Sequence, residues 1–314
     1  MKPIVPFVHG LISAEGDLWL AALRAVQPAF EIIAGEHLTP AQTREAQVAI
    51  VANPDPSHLA RLPNLKWIHS LWAGVEKLMT ALPNPQVRVA RLVDPCLSDT
   101  MTEAVLAWTL YLHRDMQRYA AQQGKSIWQQ WPVCRAAERV VGVLGLGELG
   151  AAAATRLATN GFEVLGWSRS PKQLDGLKSY HGEAGLQHVL GHSDIVILLL
   201  PLTRQTSGII DHQRLNEMKA GASIINFARG AIIETDALVA ALDSSIVDHA
   251  VLDVFTLEPL PADSALWGHP KITILPHISA PTNKQSASVQ VVDAVNRWFA
   301  NRSVPAFVDT AQGY

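Results

Sequence analysis

Short apolar runs alternate with helix-like segments over the first hundred residues. Helical patterns occupy 17–26 and 40–46, and the apolar runs, rich in β-branched residues, cover 4–8, 30–34, 48–51, 67–70 and 87–92. This alternation is typical of a parallel sheet covered by helices. The sequence therefore predicts an α/β unit at the N-terminus.

A second, longer unit follows a predicted bridging helix. Thr100-Met101-Thr102-Glu103 has the form of a capping box, and a helix is expected from there to about Gln123, before Gly124. Beyond it we predict six strands of a doubly wound parallel sheet, at 139–145, 163–167, 194–200, 222–227, 249–254 and 272–276. A last helical pattern after Pro281, long enough to return to the first unit, has one apolar face formed by Val289, Val292, Val295 and Phe299.

The first strand of the second unit runs into the glycine-rich segment Gly145-Leu146-Gly147-Glu148-Leu149-Gly150. At this spacing Gly145 permits a tight turn, Gly147 lets a pyrophosphate approach the backbone, and Gly150 lets helix and strand pack closely. The N–H groups of the first helical turn then face the anion. A tight turn in another kind of α/β domain also uses glycines, but the strand before, the alanine-rich helix after and the strand at 162–167 complete a βαβ unit. We therefore predict that the second unit binds a dinucleotide, and no such fingerprint occurs in the first.

Composition narrows the class of protein. A chain of 314 residues with 48% hydrophobic and 17% charged residues is typical of a globular protein of two domains. Its net charge of −3 offers no basic surface, so we expect no nucleic-acid partner. The most apolar run, 195–200, is far shorter than a membrane span, and the prolines at positions 3 and 6 do not suit a signal peptide. We expect a cytoplasmic protein.

Neither cysteines nor histidines indicate a metal. Cys96 and Cys134 form no C-x-x-C motif and are interpreted as small buried hydrophobic residues in a reducing compartment. Three further histidines suit a solvated loop better than a ligand set, namely His181, His188 and His192.

Three polar residues follow three predicted strands of the second unit. Arg229 follows the strand at 222–227, Glu258 the strand at 249–254 and His277 the strand at 272–276. Ligands of open α/β sheets bind beyond the carboxyl ends of the strands. An arginine binds a carboxylate through two parallel hydrogen bonds, and a histidine oriented by a carboxylate transfers protons. Each residue alone suits a structural or surface role, but together at one sheet edge they predict an active site.

Four ordered motifs resemble those of the D-isomer-specific 2-hydroxyacid dehydrogenases. They are Gly145 to Gly150, Ile225-Asn226-Phe227-Ala228-Arg229-Gly230, Leu252-Asp253-Val254-Phe255 with Glu258-Pro259-Leu260, and Pro276-His277-Ile278-Ser279-Ala280. The likeness extends over essentially the whole chain. It is strongest to the bacterial glyoxylate/hydroxypyruvate reductase A branch, through Trp167-Ser168-Arg169-Ser170, Leu266-Trp267 and the terminal Gly313-Tyr314.

The resemblance implies a role for each site residue. Arg229 holds the substrate carboxylate and carbonyl, His277 is the general acid/base, and Glu258 is its partner. Backbone N–H groups of Trp72-Ala73-Gly74 bind the same carboxylate, and Asp253 lies near the nicotinamide. Further cofactor contacts are implied for Glu148, Leu149, Leu200, Pro201, Thr206, Phe227, Ala228 and Ser279.

It also implies two Rossmann-like or flavodoxin-like α/β domains with a cleft between them. The substrate domain is discontinuous, 1–98 plus 283–314, and 99–282 form the dinucleotide domain. A homodimer is expected through the dinucleotide domain and the helix that begins at Thr100. Trp128 and Trp131 suit simple packing and an interface or substrate site equally well.

The cofactor prediction rests on the end of the second strand. NAD sites carry an acid roughly 20 residues beyond the glycines, where it binds the ribose hydroxyls. Here Ser168 occupies that place, 168 − 150 = 18 residues past Gly150, and Arg169, Ser170 and Lys172 follow. A serine removes the repulsion of a 2′-phosphate, and the two cations attract it. We predict NADPH as the preferred cofactor, with NADH possible.

The predicted reaction is the reduction of a small 2-oxo acid, glyoxylate to glycolate or hydroxypyruvate to D-glycerate. Two alternatives stay open. One is a dinucleotide-sensing regulatory protein on the same fold, similar to the C-terminal-binding corepressors. The other is a different dehydrogenase, either for a bulkier 2-oxo acid or of the formate type, although formate-type enzymes pair their histidine with glutamine where this chain has Glu258.

Overall fold

A computed structural model describes residues 2–309 of the chain. The Gly313-Tyr314 pair, part of the resemblance, lies outside the described residues. The chain divides into unit 1, residues 1–97 with 282–314, and unit 2, residues 98–281. Within the described range, no helix has both the length and the apolarity needed to cross a membrane.

Unit 1 contains a parallel five-stranded sheet in the order β2-β1-β3-β4-β5. Its strands are β1 (Ile4–His9), β2 (Glu31–Ala34), β3 (Val48–Ala52), β4 (Trp67–Ser70) and β5 (Arg88–Ala90). Its first helices are α1 (Ser13–Ala25), α2 (Pro40–Glu45), α3 (Pro56–Ala60) and α4 (Glu76–Ala81), with a 3₁₀ helix at Gly35–His37. This strand order is that of flavodoxin-like folds, so the predicted α/β class is confirmed for this unit.

Unit 2 begins with most of α5 (Pro95–His113), followed by α6 (Met116–Gln123). Its strands are β6 (Val140–Leu144), β7 (Glu163–Ser168), β8 (Lys178–His181), β9 (Ile195–Leu198), β10 (Ala222–Asn226), β11 (Val247–Leu252) and β12 (Ile272–Ile274). The helices between them are α7 (Glu148–Thr159), α8 (Gly182–His192), α9 (His212–Glu217) and α10 (Thr235–Asp243). Short 3₁₀ helices lie at Ala136–Glu138, Gly230–Ile232 and Ala265–Gly268. The final helix of the chain, in unit 1, is α11 (Lys284–Asn301).

The sheet of unit 2 is parallel and doubly wound, in the order β12-β11-β10-β9-β6-β7-β8. The strand order reverses between β6 and β9, which creates the switch point where such sheets bind ligands. The predicted six strands are present, but the sheet has seven. Sequence reasoning missed β8 because this edge strand, Lys178-Ser179-Tyr180-His181, has no buried residue and therefore no apolar run.

The predicted helix from Thr100 to Gln123 is wrong at its start and in its middle. It begins at Pro95, because Asp94 Oδ1 accepts a hydrogen bond from Cys96 N at 3.1 Å and a proline suits the first helical turn. The Thr100 motif therefore lies inside α5. The helix ends at His113, and Asp115, with φ of +54°, separates it from α6.

Helix α11 lies against the core of unit 1, and Asn283 caps it by accepting hydrogen bonds from Gln285 N and Ser286 N, each at 3.0 Å. The predicted face is correct for Val292 and Val295, which are fully buried. It is wrong for Val289, which is 49% exposed, because the buried stripe runs through Ala287, Val291, Val292 and Val295. Cys96 and Cys134 are also less buried than expected, each being intermediate in exposure.

His69, in β4, makes unit 1 sensitive to acid. Its ring is buried, with Nδ1 2.9 Å from the carbonyl oxygen of Ser70, and burial lowers the pKa of His69 from 6.5 to about 4. Between these pH values the unfolded chain binds a proton that the folded chain excludes. The free energy of unfolding should therefore fall as the pH falls from 6.5 towards 4.

We expect His69→Gln to reduce the slope of the free energy of unfolding against pH by roughly 1 kcal/mol per pH unit in this range. Urea unfolding at several pH values between 5 and 6.5 measures the slope, which does not depend on the absolute stability of the variant. An unchanged slope would show that His69 does not supply the linkage.

Candidate active site

The three glycines of the turn after β6 differ in their surroundings. Gly145 has φ of +104°, and a Cβ there would lie 2.6 Å from Leu199 O. A Cβ at Gly150 would overlap the carbonyl oxygen of Gly145, so α7 approaches the turn as closely as a glycine allows. A Cβ at Gly147 would meet nothing within 4 Å. The turn is thus tight at Gly145, open at Gly147 and closely packed at Gly150, which fits a pyrophosphate over the N-terminus of α7 at Glu148 and Leu149.

The loop after β9 lies beside this turn and contains three of the predicted cofactor residues, Leu200, Pro201 and Thr206. Thr206 Oγ1 donates to Pro201 O at 2.6 Å and accepts from Thr203 N at 2.8 Å. The hydroxyl proton of Thr206 is therefore used within the loop. Thr206 Oγ1 also accepts from Thr203 Oγ1 at 3.0 Å, so its donor and both of its lone pairs are used within the loop, and this bonding gives Thr206 a role in shaping the loop.

The residues predicted for the ribose phosphate lie at the end of β7. Ser168 is buried, and its hydroxyl donates to Ser170 O at 2.8 Å. Arg169 is exposed, and its Nη1 donates to Gln205 Oε1 at 2.7 Å. Lys172 Nζ donates to Leu146 O at 2.6 Å, so this cation reaches the glycine turn itself. Both predicted cations therefore lie at the switch-point end of the sheet.

His277 and Glu258 form a hydrogen-bonded pair. His277 Nδ1 donates to Glu258 Oε2 at 2.8 Å, and Phe255 N donates to Glu258 Oε1, also at 2.8 Å. Since the carboxylate accepts at Nδ1, the ring presents Nε2 for proton transfer. Partial burial opposes ionisation of Glu258, but the hydrogen bonds from His277 and Phe255 N and the charge of Arg229 outweigh it, so the pKa of Glu258 lies below its usual value. Glu258 is therefore a carboxylate at neutral pH.

The backbone at His277 is held by Asp253, which is buried at the end of β11. His277 has φ of +54°, in the left-handed region. Asp253 O accepts from His277 N at 3.0 Å, while its carboxylate accepts from Ile278 N at 2.7 Å and Ser279 N at 3.0 Å. Sequence reasoning placed Asp253 near the cofactor and missed this role.

The turn that carries Arg229 follows β10 and is built by Asn226. This buried side chain accepts from Ala228 N at 3.1 Å and donates to Arg229 O at 3.0 Å. Arg229 Nη1 also donates to Ala228 O at 2.7 Å. Sequence reasoning did not assign Asn226 a function, although a buried amide ending an apolar strand is a signal of such a turn. Phe227 and Ala228 are both buried, so little of either is exposed to a cofactor.

Gly230 brings the Arg229 turn against the loop that carries Glu258. A Cβ at this position would overlap the backbone of Phe255 and Thr256. Only a glycine permits this approach, and it explains why the charge of Arg229 acts on Glu258. The three residues predicted from the strand ends are thus brought to one edge of the unit 2 sheet.

In unit 1, the Trp72-Ala73-Gly74 segment follows β4 and is half-buried. Trp72 N donates to Ser70 Oγ at 3.0 Å, and its ring packs edge-on against Trp19 at 5.6 Å between centroids. Because Ser70 binds the N–H of Trp72, the N–H groups of Ala73 and Gly74 are the candidates for binding an anion.

Trp128 and Trp131 have different environments. Trp131 packs beneath Arg118, 5.0 Å from the ring centroid, and donates through Nε1 to Gln122 at 2.8 Å. Trp128 is 97% exposed, which excludes simple packing within the described part of the chain. No cluster of three or more His, Cys, Asp or Glu that suits a metal ion occurs among residues 2–309.

The chain matches the family model of the D-isomer specific 2-hydroxyacid dehydrogenase, NAD binding domain, over residues 106–279. A glyoxylate/hydroxypyruvate reductase A of Yersinia enterocolitica is 37% identical over 308 residues, which are 96% of this chain and 97% of that protein.

Two similar crystal structures cover 100% of this chain and are themselves covered completely. One is a D-isomer specific 2-hydroxyacid dehydrogenase of Xanthobacter autotrophicus Py2 in complex with NADPH and MES, 38% identical with a TM-score of 0.92. The other is an NADPH-dependent glyoxylate/hydroxypyruvate reductase of Sinorhizobium meliloti in complex with NADP and sulfate, 32% identical with a TM-score of 0.91. These likenesses confirm the resemblance carried by the four motifs. The chain belongs to the D-isomer specific 2-hydroxyacid dehydrogenase family and is an NAD(P)-dependent oxidoreductase.

Proposed function

We propose that this protein uses NADPH to reduce small 2-oxo acids, glyoxylate to glycolate and hydroxypyruvate to D-glycerate. The observation that carries the proposal is the His277–Glu258 pair, with Nδ1 2.8 Å from Oε2, at the sheet edge that also carries Arg229. The relatives from Yersinia enterocolitica and Sinorhizobium meliloti, named for these activities, support the choice of substrates. In this proposal unit 2 binds the dinucleotide and unit 1 supplies the substrate domain.

Arg229 and His277 have separate roles in the proposed reaction. When bound, the reduced nicotinamide would supply a hydride to the C2 carbonyl carbon of the substrate. Arg229 binds the substrate carboxylate and stabilises the negative charge that develops on the carbonyl oxygen. Protonated His277 delivers a proton from Nε2 to that oxygen, which completes the 2-hydroxy acid.

The remaining groups position the donors. Glu258 holds the imidazole through Nδ1, so that Nε2 faces the substrate. Asp253 fixes the backbone of His277, and the N–H groups of Ala73 and Gly74 are proposed as further anchors of the substrate carboxylate. Orientation of this kind supplies a large part of the rate of a two-substrate reaction.

Steady-state kinetics with glyoxylate, hydroxypyruvate and bulkier 2-oxo acids, each with NADPH and NADH, test the function. The proposal expects turnover of the two small acids with NADPH. A dinucleotide-sensing protein would bind NADPH with little turnover of any acid. Faster turnover of a bulky 2-oxo acid would instead assign the protein to a different substrate class.

We expect Arg169→Ala to remove most of the preference for NADPH. The guanidinium lies at the end of β7 and suits a 2′-phosphate, and one charge-assisted contact corresponds to about 10- to 100-fold in kcat/KM. The ratio of kcat/KM for NADPH to that for NADH should fall by this factor.

A suitable control is Arg156→Ala, which removes an exposed arginine from the last turn of α7, the end of the helix away from the glycine turn. The assignment of the ribose site fails if Arg169→Ala and Arg156→Ala leave the ratio equally unchanged.

We also propose a cytoplasmic homodimer. The exposed apolar residues Ile127, Trp128 and Val133 support a subunit interface. The mass in solution, measured by light scattering, tests the dimer, and a mass of one chain would contradict it.

A further inference from the structure

We propose that Gln205 is a specificity-determining residue of the cofactor site, which holds the Arg169 guanidinium where it meets the ribose 2′-phosphate. This inference rests on the proposed use of NADPH. It assigns a function to a residue that lies 36 positions from Arg169 in sequence, in the loop after β9.

The contact joins two loops at the switch-point end of the sheet. Arg169 follows β7, Gln205 follows β9, and β6 with its glycine turn lies between these two strands in the sheet. The 2.7 Å bond from Arg169 Nη1 to Gln205 Oε1 therefore connects the two sides of the site proposed for the adenosine part of the cofactor. A long exposed arginine loses rotamer freedom when it binds an anion, and a bond made before binding reduces that loss.

The chemistry of the amide suits this task. Gln205 accepts one N–H of the guanidinium and leaves its positive charge intact, since the amide is neutral. A carboxylate at this position would neutralise the guanidinium and repel the phosphate. Because the arginine can only donate, the amide must direct Oε1 to Arg169, and its own Nε2 donors then point elsewhere.

The loop that carries Gln205 is itself well ordered. Thr203 Oγ1 accepts from Gln205 N and Thr206 N, each at 3.2 Å. Ser207 N donates to Thr203 O at 2.9 Å, and Thr206 Oγ1 closes the loop onto Pro201 O at 2.6 Å. The main chain of Gln205 is therefore fixed, so its side chain is a defined anchor for Arg169.

Binding of adenosine fragments tests the inference without turnover. The probes are 2′,5′-ADP and 5′-AMP, which differ only by the 2′-phosphate, and calorimetry of the full chain gives both Kd values. The readout is the ratio of Kd for 5′-AMP to Kd for 2′,5′-ADP. The variants are Gln205→Met, which removes the acceptor, and Gln205→Glu, which keeps an acceptor but adds negative charge.

We expect the ratio to fall by about 3- to 10-fold in Gln205→Met and by more than about 10-fold in Gln205→Glu. Binding of 5′-AMP should change by less than about 2-fold in both variants. Gln86→Glu makes the same charge change at an exposed residue of unit 1 and should leave the ratio unaltered.

Arg169→Ala, measured in parallel, distinguishes a failure of the inference about Gln205 from a failure of the proposed use of NADPH. If the ratio of the two Kd values falls in Arg169→Ala but is unchanged in both Gln205 variants, the inference is wrong and the proposed use of NADPH stands. Equal weakening of both probes by the Gln205 variants also overturns the inference, since it shows a general effect on the loop. If the wild-type protein does not prefer 2′,5′-ADP, the proposed use of NADPH itself fails.

Discussion

Replacement of His277 by alanine is expected to lower kcat for glyoxylate reduction by about 100- to 10,000-fold, the range typical of a positioned general acid. The reason is that Nε2, presented by the bond from Nδ1 to Glu258 Oε2 at 2.8 Å, is the proposed proton donor to the substrate oxygen. KM should change less than kcat, because in the proposed mechanism Arg229, and not His277, binds the carboxylate of the substrate. Steady-state kinetics at saturating NADPH measure both constants.

Glu258→Gln is the matched control for this prediction. The substitution keeps an acceptor for Nδ1, the amide oxygen, but weakens a charge-assisted hydrogen bond to a neutral one, so we expect a smaller loss than in His277→Ala. A His277→Ala enzyme with kcat within a few-fold of the wild type would remove His277 from the proton-transfer step. A Glu258→Gln enzyme with a larger loss than His277→Ala would mean that Glu258 and not His277 supplies the proton.

Arg229→Ala is expected to raise KM and lower kcat together, with a loss of at least about 100-fold in kcat/KM. Two charge-assisted contacts to the substrate, each worth roughly 1.5–3 kcal/mol, account for this size. KM rises because the carboxylate loses its anchor, and kcat falls because the developing charge on the carbonyl oxygen loses a stabilising partner.

Arg229→Lys tests whether geometry or charge matters at this position. A lysine keeps the charge but lacks the planar fork of the guanidinium, so most of the loss should remain. Near wild-type kcat/KM in Arg229→Ala would exclude Arg229 as the anchor. Full activity in Arg229→Lys would show that a point charge is sufficient there.

The parts of the site that follow from local chemistry could be predicted from the sequence. The glycine spacing fixed the turn after β6, because φ of +104° at Gly145 and the close approach at Gly150 exclude other residues. Arg229, Glu258 and His277 were found because each follows an apolar strand, and parallel strands bring their carboxyl ends to one edge.

The parts that depend on contacts distant in sequence could not be predicted. The carboxylate of Asp253 binds N–H groups 25 and 26 residues away, and Arg169 meets Gln205 36 residues away. Nothing in the local pattern of either segment encodes such a pair. The break between α5 and α6 could not be predicted either. The helical sequence pattern continues on both sides of Asp115, the one residue with a left-handed backbone that separates the two helices.

Two errors have local causes: two capping signals compete at the start of α5, and β8 has no signal in the sequence pattern. The Thr100 motif is a valid capping box in isolation, but Asp94-Pro95 provides an earlier start for the same helix. Strand β8 was missed because an edge strand without buried side chains has no periodic pattern.

The most direct test of the proposed function is the product formed from hydroxypyruvate with NADPH carrying deuterium at C4. The account predicts D-glycerate with the deuterium at C2, and one NADPH oxidised for each glycerate formed. Chiral chromatography with mass spectrometry measures all three properties. Three results would contradict the account. They are the formation of L-glycerate, the oxidation of NADPH without formation of glycerate, and glycerate that lacks deuterium whichever of the two C4 hydrogens of NADPH is replaced by deuterium.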